Sequence, residues 1–225
     1  MTTATPPQPW LAQFQQMRPY LTLLVGRFCD SPDAVMSDAA IRFEAMLEDL
    51  AYRDNPDNPM ANPLVICTSH LAVHLALQAH GVSAHDYGSA MLDAMTQLEQ
   101  LGDIAGPEDD LAGFAQLAEA SQQHGKAGEF VFEFIPGDGA QDWGYNITSC
   151  AICHQFRKFD AMDLVPYMCA SDDVMSDKAN QGLRRSGTIA LGAHKCDFRY
   201  GPNNPPARVA EQFPDRIRWV EQPAS

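Results

Sequence analysis

Four of the six cysteines lie in the last third of the sequence, close to acidic and histidine side chains. These four are Cys150, Cys153, Cys169 and Cys196. A thiol becomes a nucleophile or a metal ligand when it loses its proton, which a nearby cation, base or helix N-terminus favours. Asp172 follows Cys169 by three residues. His194 and Asp197 flank Cys196. The segment therefore has the residue types of a thiol-based reaction centre.

The residues alone leave three interpretations of these cysteines open. Free cysteines are often small buried apolar side chains without a chemical role. Alternatively, Cys150 and Cys153 have the separation of a zinc-binding pair, and Cys169 and Cys196 could complete a site for zinc or another soft metal. In the third interpretation, Cys169 or Cys196 attacks a substrate while Asp172 moves a proton or orients a water. Asp172 could instead be the N-cap of a helix that starts after Cys169.

A second group of side chains that could do chemistry lies in the N-terminal half. Cys67, His70 and His74 share one face of a predicted helix over residues 64–80. Two histidines four residues apart can present nitrogen ligands to a metal, so these three residues form a second candidate metal set. They could also line a substrate pocket or supply a general base. The structural alternative is a pair of packed or solvated histidines with local partners.

The elements that position these residues indicate an α+β fold. Residues 1–9 are polar and proline-rich and are expected to form a flexible arm, and residues 10–125 are expected to be helical. Apolar residues at helical spacing predict helices within 10–52, over 64–80, from 84 or 86 to 101, and over 110–124. Prolines between residues 56 and 63 are expected to lie outside the helices, and Gly81 is expected to end the third helix in a left-handed conformation.

The C-terminal half is expected to form a small antiparallel sheet of hairpins with interleaved helices. Alternation over 129–135, turn residues and a return strand over 143–148 predict one hairpin. Helices are expected over 150–159 and 173–183, and a second hairpin is expected to pair 186–191 with 195–200. Residues 126–202 thus form the α+β region that bears the motifs, and 203–225 form an irregular tail. We expect a single compact domain overall.

Within residues 143–200, the sequence resembles the L-2-amino-thiazoline-4-carboxylic acid hydrolase family. The segments that carry the resemblance are Cys150, Cys169-x-x-Asp172, Arg185-x-x-Thr188-Ile189-Ala190-x-Gly192 and Cys196-Asp197-Phe198-Arg199. The resemblance implies hydrolysis of a C–N bond in a small cyclic amidine or thiazoline-like ring, with Cys169, Asp172 and Cys196 as catalytic residues. His194 and the pair Cys153-His154 are additions to the family pattern.

Candidate substrate-binding residues follow from the same segments. They are Arg185, Thr188, His194 and Cys150. A guanidinium matches a carboxylate in a bidentate fashion, so Arg185 is expected to bind a substrate carboxylate. The leading hypothesis, a hydrolase, requires no cofactor. The alternative is a metal- or small-ligand-binding protein, a sensor or accessory factor that uses the cysteine and histidine cluster, and a third possibility places the activity on the histidine helix.

Composition excludes several classes of partner. The net charge of -14 argues against nucleic acid, because phosphate binding requires a surplus of lysine and arginine on some face. The sequence has no run of eighteen apolar residues and no basic leader followed by an apolar stretch, so we expect no membrane partner and a cytoplasmic location. Thiols stay reduced in that compartment. The expected partner is a small-molecule substrate, and a homo-oligomer is left open.

Overall fold

A computed structural model describes residues 8–97, 110–138, 142–201 and 204. The chain divides into a helical unit, residues 1–91 with 151–164, and an α+β unit, residues 92–150 with 165–225. Within the described ranges, no helix has the length and apolar character needed to cross a membrane. The predictions for residues 1–7, 98–101 and most of the tail lie outside the described residues.

Among the described residues, the first five helices precede all the strands, and two more helices lie between the strands, as the sequence predicts for an α+β fold. The helices are α1 (Gln8–Val25), α2 (Pro32–Met46), α3 (Ala61–Gln78), α4 (Ala84–Gln97), α5 (Leu111–His124), α6 (Ala151–Arg157) and α7 (Val165–Lys178). The strands are β1 (Val131–Pro136), β2 (Trp143–Ser149), β3 (Leu183–Arg184) and β4 (Cys196–Tyr200), and a 3-10 turn covers Ile189–Leu191. Helix α4 contributes residues to both units.

Helix α3 is the buried centre of the helical unit, where it packs against α1, α2 and α6. It is apolar on most sides, which is typical of a helix surrounded by others. It begins at Ala61, so the expectation that Pro63 lies outside a helix was wrong. Pro63 falls in the first turn, where the missing N–H has no intrahelical acceptor to lose.

The end of α3 follows the prediction. Gly81 has a φ of 80°, in the left-handed region that favours glycine. The Val82 N–H donates to the Leu77 carbonyl at 3.3 Å, and the Gly81 N–H donates to the Gln78 carbonyl at 3.0 Å. These two bonds form a Schellman motif, which satisfies carbonyls that the helix end would otherwise leave unpaired.

The α+β unit contains a four-stranded antiparallel sheet in the order β1-β2-β4-β3. The β1–β2 hairpin is the predicted one. Register places Tyr145 opposite Phe134 on one side and Phe198 on the other, and Trp143 opposite Tyr200. Side chains of paired residues share a face, so these strands form one aromatic face. Phe114 of α5 packs on it, with its ring centroid 5.4 Å from that of Tyr145.

The second predicted hairpin was wrong. Strand β4 pairs with β2 and β3, while residues 186–191 form a loop and the 3-10 turn. The Asp197 carboxylate explains the loop, because it accepts hydrogen bonds from the backbone N–H groups of Ser186 at 2.9 Å and Gly187 at 3.0 Å. Asp and Ser side chains compete in this way with strand pairing. Asp197 therefore holds the turn.

The start of α7 also differs from the prediction. The helix begins at Val165, eight residues before the expected Asp173, with Pro166 in the first turn, where proline is tolerated. Cys169 and Asp172 consequently lie inside the helix. The expectations that Cys169 precedes a helix start and that Asp172 could be an N-cap were both wrong. Leu183, expected at the helix end, lies in β3.

Candidate active site

Helix α7 presents Cys169 and Asp172 one turn apart. Residues at i and i+3 of a helix share a face, so the thiol and the carboxylate point in similar directions. Cys169 is half-buried. The Asp172 side chain is 41% exposed, which leaves its carboxylate accessible to a ligand, whereas the neighbouring Asp173 side chain has no exposed surface. Helix geometry therefore places the thiol of a half-buried cysteine beside a partly exposed aspartate side chain.

Arg185, in the loop after β3, donates hydrogen bonds to three residues of α7. Its Nη1 donates to Asp172 Oδ2 at 2.8 Å, and its Nη2 donates to Asp173 Oδ2 at 2.8 Å and to the Cys169 carbonyl at 2.7 Å. The guanidinium carbon lies 4.8 Å from the Phe198 ring centroid, and the Arg185 side chain has no exposed surface. This geometry favours a positioning role for Arg185, in place of the expected contact with a substrate carboxylate.

Burial and neighbouring charges have opposite effects on the pKa values of Asp172, Asp173 and Arg185. Burial raises the pKa of Asp173 to about 7, although Arg185 lowers it. Burial also raises the pKa of Asp172 above its usual value, against the lowering effect of Arg185. The pKa of Arg185 lies above its usual value because its two carboxylate partners outweigh desolvation. Arg185 is thus a permanent cation, and Asp172 is a carboxyl group with increased proton affinity.

The two candidate thiols are protonated at neutral pH. Burial raises the pKa of Cys169 well above its usual value, and Arg185 only partly opposes this effect. Burial raises the pKa of Cys196 to about 11, although its Sγ accepts a hydrogen bond from the Ile189 N–H at 3.2 Å. Charge on Cys150 would raise the pKa of both thiols further. A nucleophilic thiol at this site therefore needs a base.

The remaining candidate residues differ in their surroundings. Cys150 is buried and directly precedes α6. Thr188 is completely buried, and its hydroxyl has no hydrogen-bond partner among the described residues. His194 is exposed in the segment between the 3-10 turn and β4. Thr188 can therefore serve a buried polar ligand atom, while His194 has no enclosed environment around it.

Two tyrosines that the sequence analysis did not identify, Tyr145 and Tyr200, lie within electrostatic reach of Asp172. The hydroxyls of Tyr145 and Tyr200 lie 3.5 Å apart. Burial raises the pKa of both above the usual value, and Asp172 raises both further, so the hydroxyls lie within electrostatic reach of that carboxylate. The sequence shows only that each tyrosine lies in a predicted strand. The pairing of β2 with β4 is what brings the two side chains together.

The metal interpretation receives no support from the geometry. Within the part of the chain that the structure describes, no three His, Cys, Asp or Glu side chains are arranged to hold a metal ion. Of the four-cysteine set, Cys150, Cys153 and Cys196 are buried and Cys169 is half-buried. Of the second set, Cys67, His70 and His74 are all buried, and the His70 Nδ1 pairs with the Tyr87 hydroxyl at 2.8 Å.

Comparison with protein families gives one result. The family model described as L-2-amino-thiazoline-4-carboxylic acid hydrolase matches residues 85–200, which is just over half of the chain. The match begins well before the motifs, so it includes α4 and α5 as well as the sheet. Comparisons with curated proteins and with solved structures each gave no match. The matched region contains every residue of the cysteine, aspartate and arginine site, and the chain belongs to the L-2-amino-thiazoline-4-carboxylic acid hydrolase family.

Proposed function

We propose that this protein is a hydrolase that opens a small cyclic amidine or thiazoline-like ring at a C–N bond, with Cys169 as nucleophile and Asp172 as general acid and base. The observation that carries the proposal is the arrangement of Asp172, Asp173 and Arg185. One guanidinium faces two carboxylates, so the ionised trio has a net negative charge. A cationic amidinium group bound at the exposed Asp172 carboxylate would neutralise that charge.

Cys169 is the better placed of the two candidate nucleophiles. It is half-buried, and it shares a helix face with Asp172. Cys196 is only 4% exposed, and its sulfur already accepts the Ile189 N–H. Attack by Cys196 would also require its sulfur to give up this backbone hydrogen bond. Cys196 and Cys150 would then form part of the pocket wall.

The proposed reaction starts with transfer of the Cys169 thiol proton to the Asp172 carboxylate. The sulfur attacks the amidine carbon, and the electron pair of the C=N bond moves to nitrogen. Asp172 returns the proton to the ring nitrogen, and the C–N bond breaks with its electron pair on that nitrogen, which leaves as an amine. The opened substrate is then bonded to Cys169 Sγ. Water adds to the same carbon, and Asp172 again relays the proton as the Cys169 thiol departs.

Arg185 supports these steps without contact to the substrate. Its two bonds to Asp172 and Cys169 fix the carboxylate and the helix backbone next to the thiol. A positioned base with a raised pKa transfers protons more readily near neutral pH than an ordinary aspartate, because its pKa lies closer to that pH. Thr188, whose buried hydroxyl has no partner among the described residues, is the proposed contact for a ring heteroatom.

Ring opening of 2-amino-thiazoline-4-carboxylic acid by purified protein tests the proposal. We expect Cys169→Ala to lower kcat about 10³-fold or more, because it removes the bond-forming atom. Asp172→Asn should lower kcat by about 10² to 10⁴, the usual contribution of an acid-base group. Cys29→Ser is the matched control, since Cys29 is also half-buried but lies in the helical unit. Full turnover by Cys169→Ala would exclude Cys169 as nucleophile.

The product identifies the bond that is broken. Opening of the ring C–N bond of a thiazoline frees an amine and leaves the sulfur substituted, whereas opening of the C–S bond frees a thiol. We therefore expect a new primary amine and no new small-molecule thiol. A free thiol in the product would contradict the assignment of the bond, while the absence of any ring opening with this and related cyclic amidines would contradict the proposed function.

A further inference from the structure

We propose that the Tyr145–Tyr200 hydroxyl pair binds the carboxylate of the substrate and so selects carboxylate-bearing rings. This inference rests on the proposed function, because it concerns the ligand of the same site. It assigns to two tyrosines the role that the sequence analysis gave to Arg185. The inference follows from the position of the two hydroxyls, from the hydrogen bonds they leave unused and from the engagement of Arg185.

The two hydroxyls are held in place by aromatic stacking. The Tyr145 ring lies 4.4 Å from the Phe198 ring, and the Tyr200 ring lies 4.3 Å from the Trp143 ring, each pair with an interplanar angle of 14°. Strand register creates both pairs, because each tyrosine is directly opposite its stacking partner. Buried aromatic side chains in such a stack have little rotamer freedom. The two oxygen atoms are thus positioned before any ligand binds.

The aromatic face brings the hydroxyls to the charged group. The Phe198 ring that stacks on Tyr145 also lies against the Arg185 guanidinium, at 4.8 Å from its carbon. Arg185 in turn bonds to Asp172 and to the Cys169 carbonyl. In the proposed complex, the amidine of the ligand lies at Asp172 and its carboxylate at the tyrosines. Phe198 and Arg185 thus connect the hydroxyl pair to Asp172 and Cys169 through direct contacts.

The hydroxyls keep hydrogen-bonding capacity for a ligand. Their separation of 3.5 Å is longer than the usual distance of about 2.7 to 2.8 Å between hydroxyl oxygens, so the bond between them is weak. Neither hydroxyl has another hydrogen-bond partner among the described residues. Burial raises the pKa of both tyrosines, so each remains a donor at neutral pH. Two donors at this spacing can each bond to one oxygen of the same carboxylate.

The contacts of Arg185 disfavour it as the group that binds the substrate carboxylate. Two carboxylates and a carbonyl already accept its Nη1 and Nη2 hydrogens, and its side chain is fully buried. A substrate carboxylate would have to approach a guanidinium that is fully buried and already paired with two carboxylates, which is costly. Neutral hydroxyls bind the carboxylate without this cost.

The test compares two ligands and three variants of the full chain. Calorimetry measures the binding of 2-amino-thiazoline-4-carboxylic acid and of 2-amino-thiazoline, which lacks the carboxylate, in a Cys169→Ala background that limits consumption of the ligand. Tyr145→Phe and Tyr200→Phe each remove one hydroxyl and keep the ring. Tyr87→Phe is the matched control, because it removes a buried tyrosine hydroxyl from the helical unit.

We expect Tyr145→Phe and Tyr200→Phe each to weaken binding of the carboxylated ligand about tenfold or more and to leave binding of the other ligand unchanged. Tyr87→Phe should change neither. An equal loss for both ligands would indicate a packing role and overturn the inference, as would unchanged binding of the carboxylated ligand. Thermal melting curves verify that each variant is folded.

Wild-type protein supplies a test that does not depend on any tyrosine variant. The inference requires tighter binding of the carboxylated ligand than of the ligand without a carboxylate, and equal affinities would overturn it. Turnover is measured separately from binding. Selective binding through the tyrosines without ring opening would contradict the proposed function and support the inference. Ring opening without any effect of the tyrosine hydroxyls on ligand preference would support the proposed function and overturn the inference.

Discussion

Each unit of the chain contains a cluster of polar side chains. The cluster in the helical unit consists of neutral groups, whereas the cluster in the α+β unit contains ion pairs. In the helical unit, His70 bonds to Tyr87 and lies 6.0 Å, ring to ring, from Tyr20. These groups are neutral at physiological pH. In the α+β unit, Arg185 pairs with two aspartates, and the charges of Arg185 and Asp172 act on the pKa values of Cys169 and Tyr145.

The difference lies in what burial does to the charge. Burial lowers the pKa of His70 to about 4 and also lowers that of His74, for which Asp163 gives only partial compensation. The histidines therefore stay neutral. In the α+β unit, Arg185 keeps its charge, and burial raises the pKa of its partner Asp173 to about 7, so this carboxyl group can gain or lose a proton near neutral pH. Only the second cluster can transfer protons at neutral pH, so chemistry is expected there and packing in the first.

The largest predicted effect is the loss of the central cation. Arg185→Met should lower the free energy of unfolding of the α+β unit by up to about 3–5 kcal/mol, because the fully buried Asp173 carboxylate loses its partner and must stay charged or take up a proton. Urea denaturation measures the change, with Trp143 as the fluorescent probe of this unit after Trp10 and Trp219 are replaced by phenylalanine.

The double variant Arg185→Met with Asp173→Asn is the matched control. It removes the charge that the single variant leaves unpaired, so it should recover part of the lost stability. If Arg185→Met costs less than about 1 kcal/mol, the usual size of an exposed ion pair, the ion pairs of Arg185 are not the organising element of this unit.

Acid should weaken the helical unit through His70. Its folded pKa of about 4 lies below the usual 6.5, so the unfolded chain binds the proton more tightly. Stability from this group is complete above pH 6.5 and falls as the pH decreases toward 4, by about 3 kcal/mol at pH 4. Denaturation at pH 7 and pH 4, followed with Trp10 as probe, measures the loss.

His70→Gln is the matched variant for this prediction. Glutamine can retain a hydrogen bond to the Tyr87 hydroxyl but does not titrate, so the variant should lose less stability between pH 7 and pH 4 than the wild type. Tyr87 and Tyr20 stay protonated in this range because their pKa values are raised, so they do not contribute. Equal losses in wild type and variant would show that His70 does not cause the acid sensitivity.

The smallest predicted effect concerns His74. Both of its ring nitrogens are buried without a hydrogen-bond partner among the described residues. Replacement by leucine removes two unsatisfied polar atoms, so His74→Leu should leave the unfolding free energy unchanged or raise it by up to about 1–3 kcal/mol. His70→Leu is the contrast, because it leaves the Tyr87 hydroxyl unpaired and should destabilise. Strong destabilisation by His74→Leu would indicate that His74 has a partner of its own.

The sequence predicts the helices better than the loops between them, for physical reasons that particular residues illustrate. Periodic apolar residues and Gly81 define α3, and both signals are local. The loop over 186–191 depends on Asp197, whose carboxylate bonds to backbone N–H groups ten and eleven residues away. Such a bond leaves no periodic pattern, so the segment resembled a strand. The prediction also placed the start of α7 eight residues too late, and Pro166 lies in the first turn of the observed helix.

The candidate site was predictable in its residue types and not in its contacts. Cys169 and Asp172 were identified from their residue types and order, and Arg185 from the family resemblance, and all three lie together in the structure. The sequence does not reveal that Arg185 is buried among carboxylates, because Asp173 carries no signal that separates it from Asp172. Tyr145 and Tyr200 were missed because they lie 55 residues apart and meet only through the pairing of β2 with β4.

The most direct test of the central claim is the intact mass of the protein, quenched in acid during turnover of 2-amino-thiazoline-4-carboxylic acid. The account predicts a species equal to the protein plus one substrate, because the ring opens onto the sulfur without loss of atoms. Peptide mapping should assign the added mass to Cys169, and Asp172→Asn should change the amount of this species. Unmodified protein throughout turnover, or an adduct on Cys196 with Cys169 free, would contradict the account.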